Sequence, residues 1–205
     1  MSRYIVTGTD TGVGKTVFAA ALAGHLGARY WKPVQAGIEQ ETDSQAVRRL
    51  SGGRAVVLPE AYRLRTPCSP HEAARIDRVT IALERLALPR GDEPLIVEGA
   101  GGVLVPFTDD LFAADLFSHW GLPVILVAST AVGTINHSLL ALEALRLRGI
   151  NVHGLAFSGN ADLAAETTIV RLGKVTNLGR LPFLDPLTPD ALAEAFAANI
   201  RTELL

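Results

Sequence analysis

The sequence predicts an α/β fold of the P-loop NTPase-like kind, a mainly parallel sheet with helices on both faces. Two observations predict it. Apolar runs of strand length alternate with amphipathic stretches of helix length along the whole chain, the pattern of repeated strand–helix crossovers. The first of those strands runs into a glycine-rich turn, "GTDTGVGKT" at residues 8–16, that opens the first helix. A third point agrees. Strands buried on both faces read as continuous apolar runs, and "PLIVEGAGG" and "LPVILVAST" are of that type.

Each element has its own justification. "YIVTG" (residues 4–8) is an apolar strand, and "KTVFAAALAGHLGA" (15–28) is a helix closed near Gly27. "RYWKPV" (29–34) is a second strand, ended by Pro33, whose nitrogen carries no hydrogen to donate. "DSQAVRRLSGG" (43–53) is a helix capped by Thr42 or Asp43 and stopped by a glycine pair. "RVTIALERLALPRG" (78–91) has helical apolar spacing and ends at Pro89. The strand of residues 94–102 follows, then a helix over 109–121 and a strand over 122–130. "TINHSLLALEALRLRG" (134–149) is a helix with Gly149 at its end, and "NVHGLAFSG" (151–159) is a strand. A helix over 161–173 and a short strand and loop over 175–184 lead to the last helix. There Thr188 is the N-cap and Pro189 the first helical residue.

Composition bounds the answer. A chain of 205 residues is expected to form a single domain, residues 1–205. A net charge of −2 offers no bulk attraction to nucleic acid or to an acidic membrane surface, so neither is an expected partner. The single cysteine, Cys68, fits a reducing compartment. There is no secretory leader pattern and no apolar run of membrane-spanning length, so the expected location is cytoplasmic. The five histidines lack zinc spacing, and no Gly-x-Ser-x-Gly elbow appears.

In parallel sheets of this kind ligands bind beyond the C-terminal strand ends. The loops to inspect are therefore residues 8–14, 34–43, 98–102, 129–133 and 158–162. In the first, Gly12 and Gly14 let backbone N–H groups approach phosphate oxygens. Lys15 reaches toward the β and γ phosphates and the Thr16 hydroxyl toward Mg²⁺. The usual motif places four residues between its glycines, whereas five separate Gly8 from Gly14. In the third loop, Glu98 closes an apolar strand, where a Mg²⁺ partner is expected. Lys32 stands at a strand end; it is either a surface lysine or a cation that neutralises charge on a transferring phosphoryl group. Asp43 reads equally as a helix cap and as a second carboxylate near the metal.

With these motifs assembled, the sequence resembles the dethiobiotin synthetases. "GTDTGVGKT", "KPVQAG" (32–37), "VEGAGG" (97–102) and "GTINH" (133–137) carry the resemblance, with "SPH" (69–71) and "LPFL" (181–184) in agreement. The longer gap after Gly8 is itself a feature of that family. The resemblance implies an ATP-dependent ligase that joins 7,8-diaminononanoate and CO₂ into a urea ring through a carbamate and a carbamic-phosphoric anhydride. It implies that Gly12, Val13, Gly14, Lys15, Thr16 and Val17 wrap the ATP phosphates, and that Thr16, Asp43 and Glu98 hold Mg²⁺. Lys15 and Lys32 are implied to stabilise the carbamate and the transferring phosphoryl group, with Thr11 beside the carbamate. Gly99, Ala100 and Gly101 are implied to border the substrate, and Pro182, Phe183 and Leu184 to flank the adenine. It implies a homodimer too, with Asn136 reaching the substrate tail from the partner. Three positions depart from the family pattern. Gly12 stands where many members have Glu, and Ala36 where some have a substrate-touching Ser. Ser158 stands where an adenine-reading Asn is usual, with Asn160 two residues on. The competing reading is a partition or cell-division P-loop ATPase switch. Those proteins carry a second lysine early in the loop, where this chain has Asp10.

Overall fold

A computed structural model describes residues 2–205. Its framework is a seven-stranded sheet in the order β11-β10-β9-β1-β6-β2-β4. The strands are β1 (Arg3–Gly8), β2 (Arg29–Trp31), β4 (Val56–Val57), β6 (Leu95–Gly102), β9 (Val124–Ser129), β10 (Val152–Ser158) and β11 (Asn177–Leu181). All six pairings are parallel. β1 is central, with β6 on one side and β9 on the other, so strand order reverses around it. Such a switch point opens a crevice at the C-terminal strand ends.

Alternation along each strand feeds two cores. Tyr4, Val6, Tyr30, Ile96, Ile125 and Val127 face one side, where they meet α1 (Lys15–Leu26), α2 (Asp43–Leu50) and α7 (Pro189–Asn199) through Phe18, Val47, Leu50, Leu192 and Phe196. Ile5, Val97, Leu126, Leu155 and Phe157 face the other. There they meet α3 (Pro70–Asp77), α4 (Ala113–Trp120), α5 (Thr134–Leu147) and α6 (Leu163–Gly173). The predicted α/β class, with helices on both faces, is the one observed.

Local expectations fared unevenly. Helix α1 ends at Gly27 in the left-handed conformation, as expected, and Thr188 and Pro189 start α7 as read from the sequence. Three readings are corrected and one alternative is decided. The run 29–34 is not one strand: β2 stops at Trp31, and Lys32 and Pro33 lie outside it. Val34–Ala36 forms β3, which pairs with β5 (Tyr62–Leu64) in a separate two-stranded sheet. The cap of α2 is Thr42, whose hydroxyl accepts from the Gln45 N–H while the Gln45 side chain accepts from the Thr42 N–H; Asp43 is the first helical residue instead. The helix expected over 78–91 is only a 3-10 turn at Leu83–Leu86. Finally, the helix expected from 109 begins at Ala113, because residues 106–112 form the antiparallel pair β7 (Pro106–Thr108) and β8 (Leu111–Phe112).

Candidate active site

The loop after β1 carries the first functional group of residues. Gly14 is the N-cap of α1 at φ 93, and a Cβ there would lie 2.4 Å from Ser158 Oγ, so only glycine fits. Gly12 has φ 75 and open space around it. Its backbone lies in the region that glycine adopts most freely, while a side chain there would meet no neighbour. Lys15, Thr16 and Val17 form the first turn of α1, whose N–H groups have no intrahelical partner. Aligned with the helix dipole, they make a phosphate cradle. Lys15 Nζ folds back to donate to the Asp10 carbonyl at 2.6 Å. Burial, together with repulsion from Lys32, lowers its amine to about 8. An anion in the cradle reverses that penalty.

Around Thr16 the structure brings together residues from α1, α2 and β6 and from the segment after β2. Thr16 Oγ1 lies 3.0 Å from Asp43 Oδ1 and 2.8 Å from Glu98 Oε1. Lys32 Nζ lies 2.7 Å from Asp43 Oδ2 and 3.1 Å from Glu98 Oε1, and donates to the Gly99 carbonyl at 2.9 Å. Glu98 is fully buried, and Lys32 is 4 % exposed. Lys32 is therefore no surface lysine: the local sequence left that open, and burial decides it. Burial alone depresses its amine, but the Glu98 and Asp43 carboxylates outweigh that and raise it above the ordinary value. Burial likewise pushes the Asp43 carboxyl up, yet Lys32 and the Thr16 hydroxyl together hold it below the usual range. Two carboxylates and a hydroxyl form a hard oxygen set. That set suits Mg²⁺, which keeps water and phosphate oxygens among its ligands. Asp43 thus sits in the helix and in the site at once, as the first residue of α2.

A cleft of about 660 Å³ opens above this cluster. Thr11, Lys15, Thr16, Lys32, Asp43 and Glu98 line it, together with Ala100, Gly101 and Val105 on one wall and Val34, Gln35 and Ala36 on another. Pro67, Cys68, Ser69 and Pro70, the entry to α3, close a further side. Gly99 does not line the cleft. It is buried, a Cβ on it would lie 2.8 Å from Phe117, and its contribution is the carbonyl that receives Lys32. A second cavity of about 270 Å³ lies across the loop. Pro182, Phe183 and Leu184 line it with Val13, Ser129, Ser158, Leu181 and Leu187. The two cavities share Gly12, Gly14 and Val17, so the phosphate loop forms the partition between them. Asn160 is exposed and does not line the second cavity; Ser158 does. Asn136 is exposed in the first turn of α5, outside both.

Two residues of the site were not singled out from the sequence. Gln35 lines the cleft; its Oε1 accepts from the Asp43 N–H at 3.1 Å, and its Nε2 donates to the Ala36 and Gly37 carbonyls. It anchors the start of α2 to β3, and its signal was its place inside "KPVQAG". Tyr30 donates from its hydroxyl to Glu98 Oε2 at 2.8 Å, with both groups buried. Burial and the Glu98 charge hold that hydroxyl well above the ordinary phenol range, so it stays a donor. Nothing local distinguishes it from any aromatic residue in a strand.

Comparison with known proteins fits this geometry. A family model described as an AAA domain matches residues 2–191. Relatives named ATP-dependent dethiobiotin synthetase BioD share 62 % identity in Rhodopseudomonas palustris, covering 97 % of this chain and 94 % of the relative. Another from Agrobacterium fabrum shares 60 % with the same coverage. A third from Novosphingobium aromaticivorans shares 58 % over 99 % of this chain and 98 % of its own. The chain belongs to the dethiobiotin synthetase family. Among solved structures, the cell division ATPase MinD of Pyrococcus furiosus superposes with a TM-score of 0.57 at 14 % identity, covering 97 % of this chain and 99 % of that one. A ParA family ATPase from Chlorobium tepidum does so with 0.54 at 11 %, covering 97 % and 90 %. Those likenesses show a shared P-loop fold and nothing finer. Near 60 % identity to dethiobiotin synthetases, with Asp10 in place of a second lysine, disfavours the partition-switch alternative.

Proposed function

We propose that this chain is an ATP- and Mg²⁺-dependent dethiobiotin synthetase that converts 7,8-diaminononanoate and CO₂ into the cyclic urea. One observation carries the reading beyond the family name. A phosphate cradle, two lysines and a hard-oxygen metal set converge on one cleft, whose remaining walls leave room for a second substrate. The nucleotide lies across the loop. Its base sits against Pro182, Phe183 and Leu184, and its phosphates rest on the N–H groups of residues 12–17.

Thr16, Asp43 and Glu98 would hold the Mg²⁺, which would supply charge neutralisation to the nucleotide's phosphates. The protein's own groups do the rest. One substrate amine adds to CO₂ and loses a proton to give a carbamate beside Thr11. Lys32 and Lys15 supply positive charge beside the carbamate and the γ-phosphoryl oxygens, lowering the repulsion between two anions. The carbamate oxygen then attacks the γ-phosphorus and ADP departs. The second amine closes on the carbonyl carbon of the mixed anhydride, expelling phosphate and a proton. Ala100 and Gly101 leave the wall open enough for that approach. Much of the rate gain in such a scheme is positioning.

The substrate's carboxylate tail extends toward a second copy of the chain, where Asn136 of one protomer serves the site of the other. Exposed Val132, Ile135 and Leu140 around Asn136 support a homodimer through that region. Among the described residues no helix is long and apolar enough to cross a membrane. We place the enzyme in the cytoplasm, which suits its single free cysteine. The test is direct. Purified protein given diaminononanoate, bicarbonate and Mg-ATP releases ADP and forms dethiobiotin; ATP turnover with no ring-closed product sinks the proposal.

A further inference from the structure

The Glu98 carboxylate is fully buried and its two oxygens have different partners. Oε1 meets Thr16 Oγ1 and Lys32 Nζ at 2.8 and 3.1 Å. Oε2 meets the Tyr30 hydroxyl at 2.8 Å. The sheet register explains how. Tyr30 pairs with Ile96 on the neighbouring strand, and Glu98 lies two residues further on, so both side chains project from the same face. The ring spans the diagonal between them, within reach of a long aromatic side chain. Tyr30 itself is packed and has no exposure, in the core with Phe18, Val47 and Ile96.

We infer that Tyr30 is a positioning residue for the metal site, committing Glu98 to present a single oxygen, Oε1, toward the cation and Lys32. An ionised carboxylate only accepts hydrogen bonds, and it can offer one oxygen or both to a metal. A donor fixed on Oε2 removes the two-oxygen mode and stops the group rotating about its last bond. Without that donor, a buried anionic oxygen is left without a partner. The carboxylate is then free to turn and share both oxygens with Thr16 and Lys32, and Glu98 no longer presents one fixed oxygen toward the cation. Loss of a group that orients a metal ligand in this way typically weakens metal binding about 10- to 100-fold.

The inference rests on Thr16, Asp43 and Glu98 being the metal ligands, and the test separates the two. Mn²⁺ binding to the ADP complex is titrated by electron paramagnetic resonance in the parent protein and in Tyr30→Phe, which deletes one oxygen and keeps the ring. The parent binds Mn²⁺, and Tyr30→Phe binds it about 10- to 100-fold more weakly. Metal-free ADP affinity stays unchanged, a split that a loss of packing alone does not produce. In a Glu98→Gln background the same change makes no further difference to Mn²⁺ binding, because no carboxylate remains there to be oriented. If the parent itself binds no Mn²⁺ with ADP, the metal reading fails and this inference falls with it. If the parent binds and Tyr30→Phe binds equally well, or loses metal-free ADP affinity to the same degree, Tyr30 is merely packed. Should Tyr30→Phe not fold, infrared difference spectra of the parent on adding Mg²⁺ decide. A tyrosine band that shifts with the metal and is absent from Glu98→Gln supports the role, and a spectrum with no tyrosine band overturns it.

Discussion

Replacing Lys32 by alanine removes the cation shared by two carboxylates, and the structure sets the size of the consequence. Glu98 is the costly partner, because its side chain has no exposure, whereas Asp43 retains 32 % and part of its hydration. Deleting one member of a buried ion pair destabilises by about 3–5 kcal/mol, since the remaining charge is left uncompensated. For a chain of this size each kcal/mol lowers Tm by about 2–4 °C, so Lys32→Ala is expected to melt about 6–20 °C below the parent. The sign with pH follows from Asp43. Its carboxyl is held low in the folded state, so the stability it contributes is present above its unfolded pKa and is lost as pH falls through the folded value. Lys32 is one source of that depression, so the gap between parent and variant is widest near neutrality and closes in acid. Mg²⁺ without nucleotide should recover part of the loss in the variant and little in the parent, where the ammonium already balances the carboxylates. Scanning calorimetry at neutral and acid pH, with and without Mg²⁺, reads all three effects. A variant that melts within about 2 °C of the parent at neutral pH refutes the reasoning, because Glu98 would then not depend on Lys32 for its charge balance. The kinetic counterpart is that Lys32→Ala lowers kcat far more than ATP affinity; equal losses would mean a ground-state phosphate contact only.

Other changes probe other parts of the account. Gly14→Ala places a Cβ 2.4 Å from Ser158 Oγ at a φ of 93, so ATP affinity measured by calorimetry should collapse; near-parental binding contradicts the cradle geometry. Thr42→Ala removes the cap of α2 and should cost about 1 kcal/mol in chemical denaturation, with kcat also reduced through Asp43; no change in either speaks against the cap as a support of the site. The base cavity has no side-chain amide among its lining residues, and a polar base edge without its partner costs about 1–3 kcal/mol. Nucleotide choice should therefore be relaxed, with kcat/KM for ATP only modestly above that for CTP. A preference above about a thousandfold, roughly 4 kcal/mol, would require a reader of the adenine edge that this cavity lacks.

Where burial is two-sided, local sequence was sufficient. β1, β6, β9 and β10 each contain a buried apolar run, and each is legible in the sequence. Segments whose conformation depends on distant partners were not. Residues 78–91 have helical apolar spacing, yet the Ala82 N–H goes to the Tyr62 hydroxyl and the Leu86 carbonyl takes the Trp120 indole. Those long-range bonds satisfy a backbone that a helix would have satisfied internally. Helix α3 offers little signal: it is short and half polar, and it buries only Pro70, Ala73 and Ala74. In the site, Lys15, Thr16 and Glu98 were readable because strand–turn–helix context constrains them. Lys32 was ambiguous until its burial was known. Asp43 stood between two readings; its carboxylate lies beside Thr16, and the cap belongs to its neighbour Thr42. Gln35 bonds residues within eight positions of itself and lies inside a legible motif, whereas Tyr30 meets Glu98 sixty-eight residues on, and no local pattern carries that contact.

The central claim is that this cleft couples ATP cleavage to carbon capture and ring closure. The most direct measurement supplies ¹³C-bicarbonate with diaminononanoate and Mg-ATP, and follows ADP and labelled product together by mass spectrometry. One labelled carbon in the cyclic urea for every ADP released is the predicted result. ADP release without label in a ring-closed product would contradict it.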